Sequence, residues 1–283
     1  MLSESMRQRL ERLNRQPLSD QRGIPESARS IAAQVPHRRA TRALRFPPLL
    51  PTAETIENGS GQHLRMTVPV ARIDNGQLNQ QRARLLEISP EADESRHTEL
   101  TALLDSFPQR TLFLDLETCG FAGSAIFLIG LLLERNGELV VELLFARNYA
   151  QERAILHSLW EATQSRDILV TYNGKSFDWP MVLDRTTYHR FPRGAGQGPK
   201  APLHCDLLHH ARRRWKEKLP DCRLQTIEYC LCGRRRVDDI AGARIPGAYH
   251  DFVRHGDPQE MESILSHNVQ DLFTLLEIAL RLF

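Results

Sequence analysis

Three apolar runs between residues 111 and 145 constrain this chain more than any other feature. Thr111–Leu116, Ile126–Leu133 and Leu139–Phe145 all have strand length, and Arg135-Asn136-Gly137 supplies a turn between the last two. Strands so close in sequence pair as neighbours, which predicts an antiparallel meander. Residues 151–164 then place Ala154, Ile155, Leu159 and Ala162 on one side of a helix. Ile168–Tyr172 reads as a fourth strand, followed by a helix from about Ser176. That order predicts an α/β domain, a mixed β-sheet flanked by helices, over residues 109–283. A long C-terminal helix, roughly Pro258 to Leu282, carries a core stripe of Met261, Ile264, Leu265, Leu272, Leu275, Leu276 and Ala279.

The first part of the chain reads differently. Residues 1–60 mix Arg, Gln, Ser and Pro and predict a basic, disordered, largely irregular extension, with Phe46-Pro-Pro-Leu-Leu-Pro51 breaking any helix. Within it, residues 3–15 offer a helix only the thin apolar face of Met6, Leu10 and Leu13. Residues 61–108 read as a small extension or linker. Its segment 62–73 suits a strand that Pro69 would confine to a sheet edge, and 97–106 is helix-like. Ten Arg and four acids in residues 1–48 leave the remainder of the chain near −4, against +2 overall. Only four Lys accompany 33 Arg. Arg suits bidentate phosphate contacts, but a bias toward Arg across a genome accounts for the count without any ligand. If the arm contributes nonspecific binding to nucleic acid, deleting residues 1–48 should flatten the salt dependence of affinity.

Several classes are excluded. The longest apolar run, Ile126–Leu133, is far short of a membrane span, and MLSESMRQRLERLNRQ has no signal-peptide core. Five unevenly spaced cysteines argue against a disulfide framework. The expectation is a soluble, cytoplasmic protein with no membrane partner.

The chemistry lies in acids at strand and helix ends. Alternation along the first strand puts Asp115 and Glu117 on one side of the sheet, where two buried acids are costly unless a cation joins them. Hard divalent cations such as Mg²⁺ or Mn²⁺ are the natural partners of carboxylates, although acids at a strand end also simply face water. Asp178 follows the fourth strand, where ligands collect in α/β sheets, after the turn Asn173-Gly174 and a candidate helix cap, Ser176. A charge favourable to the helix N-terminus is the plainer explanation of Asp178 alone. His267 and Asp271, four apart, share a face of the last helix at the border of its stripe, and taken alone would be a surface pair.

Taken in order, FLDLET (113–118), YNGKSFD (172–178) and HNVQD (267–271) resemble the three motifs of the DEDD superfamily of 3′→5′ exonucleases, which has the RNase H-like fold. The likeness is closer to the bacterial YprB-type RNase H-like proteins. It extends through CDLLHHARRRWKEKLPDCRLQTIE (205–228) and IPGAYHDFVRHGDP (245–258), covering about residues 110–283. The resemblance implies phosphodiester hydrolysis with two divalent cations, Mg²⁺ or Mn²⁺. Asp115, Glu117 and Asp271 would hold the first, and Asp115 and Asp178 would reach the second. His267 would be the general base. Its spacing to Asp271, four positions, is that of the family's Tyr-type members rather than its His-type members, which leaves the identity of the base open. The implied substrate is single-stranded DNA or RNA.

Other constellations are weaker. Arg212, Arg213, Arg214, Lys216 and Lys218 around Trp215 could track a phosphate backbone and stack a base, or form a solvated helix face. Arg234-Arg235-Arg236 is a lesser version. Asn173 and Lys175, inside the second motif, are candidate substrate contacts or ordinary turn residues. Cys222, Cys230 and Cys232, with His209 and His210 nearby, lack zinc spacing. Cys230 fits a helix's apolar face, and Cys119 reads as packing rather than a nucleophile. Gly194, Gly196 and Gly198 follow no strand and form no phosphate loop, and a Ser-His-Asp hydrolase has no G-x-S-x-G elbow here. The expectation is a metal-dependent exonuclease. The alternatives are a nucleic-acid-binding or scaffolding protein with little catalysis, and an RNase H-like endonuclease.

Overall fold

A computed structural model describes residues 43–44, 46–73, 97–191, 202–237 and 239–283. The expected helix at 3–15, most of the Arg-rich arm and the glycines of 193–201 lie outside the described residues.

Among the described residues, seven strands form one sheet: β1 (Glu54–Asn58), β2 (Gly61–Pro69), β3 (Thr111–Thr118), β4 (Ile126–Arg135), β5 (Glu138–Phe145), β6 (Ile168–Thr171) and β7 (Leu203–Asp206). Their order is β1-β2-β5-β4-β3-β6-β7. Pairing is antiparallel from β1 to β3 and parallel from β3 through β6 to β7, so the sheet is mixed. The predicted meander is β3-β4-β5. Asn136 and Gly137, with φ of 53° and 87°, make the tight left-handed turn that lets β4 and β5 pair down to Arg135 and Glu138.

Among the described residues, the helices longer than four residues are α1 (Thr98–Ser106), α2 (Glu152–Thr163), α3 (Asp178–Tyr188), α4 (Leu207–Trp215), α5 (Leu224–Cys232), α6 (Ile245–His255) and α7 (Gln259–Arg281). On one face of the sheet, α2 and Val182 of α3 cover Leu112, Leu114, Ile129 and Leu131. On the other, α4 to α7 cover Phe113, Leu132, Val141 and Val170. β4 lies between the two cores and is apolar without alternation, as a strand covered on both faces must be. The predicted stripe of α7 is buried throughout.

Three expectations are corrected. Residues 54–58, expected to lie in a disordered arm reaching residue 60, form β1, and β2 is an interior strand paired on both sides. The edge position expected for β2 belongs to β1, a polar strand with no buried residue to betray it. Pro69 is tolerated because it is the last residue of β2. Just before the hairpin, the backbone N–H groups of Leu49 and Leu50 donate to the Glu262 carboxylate of α7 at 2.7 and 2.9 Å, and Leu44 and Leu49 are buried. The expected cap of α3 is also displaced. Phe177 occupies the N-cap without a side-chain bond, so Ser176 caps nothing and Asp178 opens the helix.

Candidate active site

β3 carries two acids out of the sheet's centre. Leu112 and Leu114 point to the α2 core and Phe113 to the α7 core. By the strand's period of two, Asp115 and Glu117 share one side of the sheet, and like Phe113 they face α7. α7 can approach because the residue opposite Asp115 on β4 is Gly130. A Cβ there would lie 1.8 Å from Asn268 Oδ1 and 2.8 Å from Leu272 Cδ1. Asn268 uses that space to donate from Nδ2 to Asp115 Oδ2 at 2.7 Å.

One turn along, His267 and Asp271 are each only 9% exposed, so they are not a surface pair. His267 Nε2 is 3.3 Å from Asp271 Oδ2, and its Nδ1 is 2.6 Å from Asp239 Oδ1. Arg236 donates to Asp271, to Glu228 Oε2 at 2.8 Å and to Asp239 Oδ2 at 3.4 Å. Its Nη1 also lies 3.3 Å from His267 Nδ1.

Asp178 arrives from the other side, its carboxylate facing the backbone N–H of Leu116. The loop that delivers it is held by Asp206, fully buried at the end of β7. This carboxylate accepts the N–H groups of Asn173 at 2.8 Å, Lys175 at 3.1 Å and Leu208 at 3.0 Å, capping α4 at the same time. Asn173 takes the left-handed conformation, φ 65°, that the turn requires.

Electrostatics divide the four acids. Burial, reinforced by Asp271, Asp178 and Glu117, pushes the Asp115 carboxyl well above the carboxylate range. Glu117 is pushed up to about 8 by burial, against the pull of His267. Asp178 rises to about 7, again chiefly through burial. Asp271 goes the other way. Burial alone would raise it, but Arg236 and His267 hold it well below the usual range. His267 is raised despite its burial, because Asp271 and Asp239 favour its cation.

Four carboxylates close enough to raise or lower one another, in an all-oxygen donor set, fit hard divalent cations. Asp115, Glu117, Asp178 and Asp271 would hold them. Among the described residues, the one group of three or more whose His, Cys, Asp or Glu ligand atoms all lie within 4.8 Å of one another is elsewhere, at His97, Glu99 and His210.

The predicted substrate contacts fare unevenly. Arg212 and Arg213 are exposed on α4. Lys175 is paired, its Nζ 2.7 Å from Glu99 Oε1. Trp215, expected to stack a base, is 8% exposed and packs in the α7-side core, which takes its ring out of reach of a substrate. Arg234 and Arg236, counted as a weak basic patch, are buried in ion pairs with Glu228. Cys230 is in the core as expected, and burial pushes the Cys119 thiol up to about 12. Sequence reasoning does not single out Asn268, Asp239, Asp206 or Gly130, and it places Arg236 only in a basic patch. Asn268 lies inside the third motif and was within reach of sequence reasoning. The others carry no local pattern that marks them.

The pattern of the RNase_H superfamily matches residues 112–283, from β3 through α7, and so takes in every residue of the site. The chain belongs to the RNase_H superfamily. Over 171 residues it is 36% identical to the uncharacterized protein YprB of Bacillus subtilis (strain 168), covering 59% of this chain and 40% of YprB. A similar solved structure is the family B DNA polymerase from the hyperthermophilic archaeon Pyrobaculum calidifontis, with TM-score 0.49, 16% identity, and coverage of 62% of this chain and 24% of the polymerase. The β1–β2 hairpin and α1 lie outside the stretch that matches the RNase_H superfamily. RNase H-like nucleases use divalent cations, for which the four carboxylates are a fitting donor set. No helix among the described residues is long and apolar enough to cross a membrane.

Proposed function

We propose that this protein is a divalent-metal-dependent nuclease, acting as a 3′→5′ exonuclease on single-stranded DNA or RNA. The observation that carries the reading is the grouping of Asp115, Glu117, Asp178 and Asp271 beside His267, with Glu117 and Asp271 buried and Asp115 and Asp178 half-buried. Asp115, Glu117 and Asp271 would bind one Mg²⁺ or Mn²⁺ and Asp115 with Asp178 a second. When bound, two such cations lower the pKa of an attacking water and neutralise charge on the phosphoryl oxygens.

The chain's own groups supply the rest. Asp239 at 2.6 Å holds a proton on His267 Nδ1, inferred from this hydrogen bond, and Nε2, 3.3 Å from Asp271 Oδ2, would accept the proton of the attacking water only after the imidazolium has lost its Nε2 proton. The Asn268 amide fixes the rotamer of Asp115. Asp206 holds the loop that delivers Asp178, so the acids of β3 and α3 meet with little reorganisation. Arg212 and Arg213, exposed on α4, are candidates to contact the phosphate backbone, as are Asn173 and Lys175 of the second motif.

The test is degradation of 3′- and 5′-labelled single-stranded DNA and RNA with Mg²⁺ or Mn²⁺, comparing wild type with Asp115→Ala. The expected outcome is stepwise shortening from the 3′ end, abolished by the substitution and by EDTA. Internal cuts would instead make it an endonuclease, and binding without cleavage would make it a binding protein.

A further inference from the structure

We propose that His97, Glu99 and His210 form a second metal site, for a zinc-type dication, where the N-terminus of α1 meets α4. His97 is the N-cap residue of α1, Glu99 lies in its first turn, and His210 is on α4, more than a hundred residues away in sequence. The fold brings His210 Nε2 to 3.0 Å from Glu99 Oε2. The His97 and His210 rings meet edge to face with centroids 4.9 Å apart. One ligand atom from each residue lies within 4.8 Å of the other two, a spread that a modest side-chain adjustment closes around one ion.

The donor set determines the class of metal. Two imidazoles and a carboxylate suit zinc and its neighbours, whereas the all-oxygen cluster of Asp115, Glu117, Asp178 and Asp271 suits Mg²⁺ and Mn²⁺. Three protein ligands leave a fourth position open, and His97, which is exposed, puts that position at the surface.

Outer partners are also in place. Lys175 Nζ donates to Glu99 Oε1 at 2.7 Å, orienting the carboxylate so that Oε2 faces His210. Arg213 Nη1 lies 3.5 Å from His210 Nδ1, and its exposed side chain is free to turn away when Nδ1 carries the proton. Lys175 and Arg213 add positive charge beside the ion, so the open position would favour water or an anionic oxygen. Because the Lys175 backbone is held by Asp206, an ion here would tie α1, α4 and the loop preceding Asp178 together.

The test uses the whole protein in millimolar Mg²⁺, which occupies the oxygen cluster, and titrates Zn²⁺ by calorimetry, with Co²⁺ absorption reporting the ligand field. Wild type should bind one Zn²⁺ per chain, and Asp115→Ala should bind it unchanged. His97→Asn keeps an acceptor for the α1 cap while removing the imidazole, and should weaken Zn²⁺ at least tenfold without lowering Tm in the absence of Zn²⁺. His210→Gln should do the same where it folds, and the exposed His97 variant decides the matter if it does not. Absence of Zn²⁺ binding in wild type, equal affinity in His97→Asn, or loss of the Zn²⁺ in Asp115→Ala would each overturn the proposal.

Discussion

At the scale of single residues, the site depends on one absent side chain and one hidden acid. Gly130 leaves no Cβ where Asn268 crosses the sheet to Asp115. Gly130→Ala should therefore push Asn268 and Leu272 aside, costing about 1–3 kcal/mol as an overpacked core does. Cleavage should fall further than stability alone explains, and urea unfolding alongside a cleavage assay under folded conditions separates the two. Asp239 acts on His267 from behind. Asp239→Asn removes a charge that favours the His267 cation, so the acid limb of the pH–rate profile should move to lower pH. The maximal rate should drop about 10- to 100-fold as the ring loses its orientation. An unmoved acid limb would show that His267 is not the titrating base. The sequence made Asp115, Glu117, Asp178, His267 and Asp271 legible because each sits at a strand end, a helix start or an i,i+4 pair. Gly130 and Asp239 were illegible because their partners are 138 and 28 residues away.

Among the elements, the connection from β3 to β4 is held by a buried ion cluster on α2 and α3. Glu152, 2% exposed, accepts the Ile126 N–H at 2.8 Å, Arg185 at 2.8 and 2.6 Å, and His189 at 2.8 Å. Arg185 in turn donates to the Gly123 carbonyl at 3.1 Å. Burial would raise the Glu152 carboxyl, but Arg185, His189 and the Ile126 amide outweigh it and depress it below 4.5. A depressed carboxyl contributes stability that is complete above its unfolded value and lost as pH falls through the folded one. Wild type should therefore weaken below about pH 4.5 in urea unfolding, and Glu152→Gln should flatten that part of the curve. Glu152→Ala, which leaves Arg185 buried without its partner, should cost about 3–5 kcal/mol at neutral pH. The helices and strands of this region are legible from periodicity, but the cluster is not, since nothing local to Glu152 or Arg185 marks either as buried and paired.

For the whole molecule, the balance of charge in the acid cluster couples folding to cations. Asp115, Glu117 and Asp178 are all raised, the last two to about 8 and about 7. A raised acid contributes stability that is present below its unfolded value and lost as pH rises through its folded value. The cation-free protein should thus lose stability between about pH 4.5 and pH 8. Mg²⁺ or Mn²⁺, binding the ionised cluster, should raise Tm more at pH 8 than at pH 5. Thermal unfolding in EDTA and in Mg²⁺ across that range checks both, and Asp115→Ala should shrink the difference. Equal cation effects at the two pH values would separate the cluster from cation binding.

The sequence by itself determined the mixed sheet, the order of its central strands and helices, and the three motifs that carry the acids. Those properties are local, since strand and helix periods and turn residues act within a few positions of the chain. Only the tertiary structure decided that the β1–β2 hairpin widens the sheet, that Trp215 belongs to the core, and that Arg236 and Asp239 join the acids. It alone set His97 and Glu99 beside His210. Each of these depends on which distant surfaces come together, and a polar strand, a buried tryptophan or a paired arginine shows no periodic mark of its partner until the chain has folded.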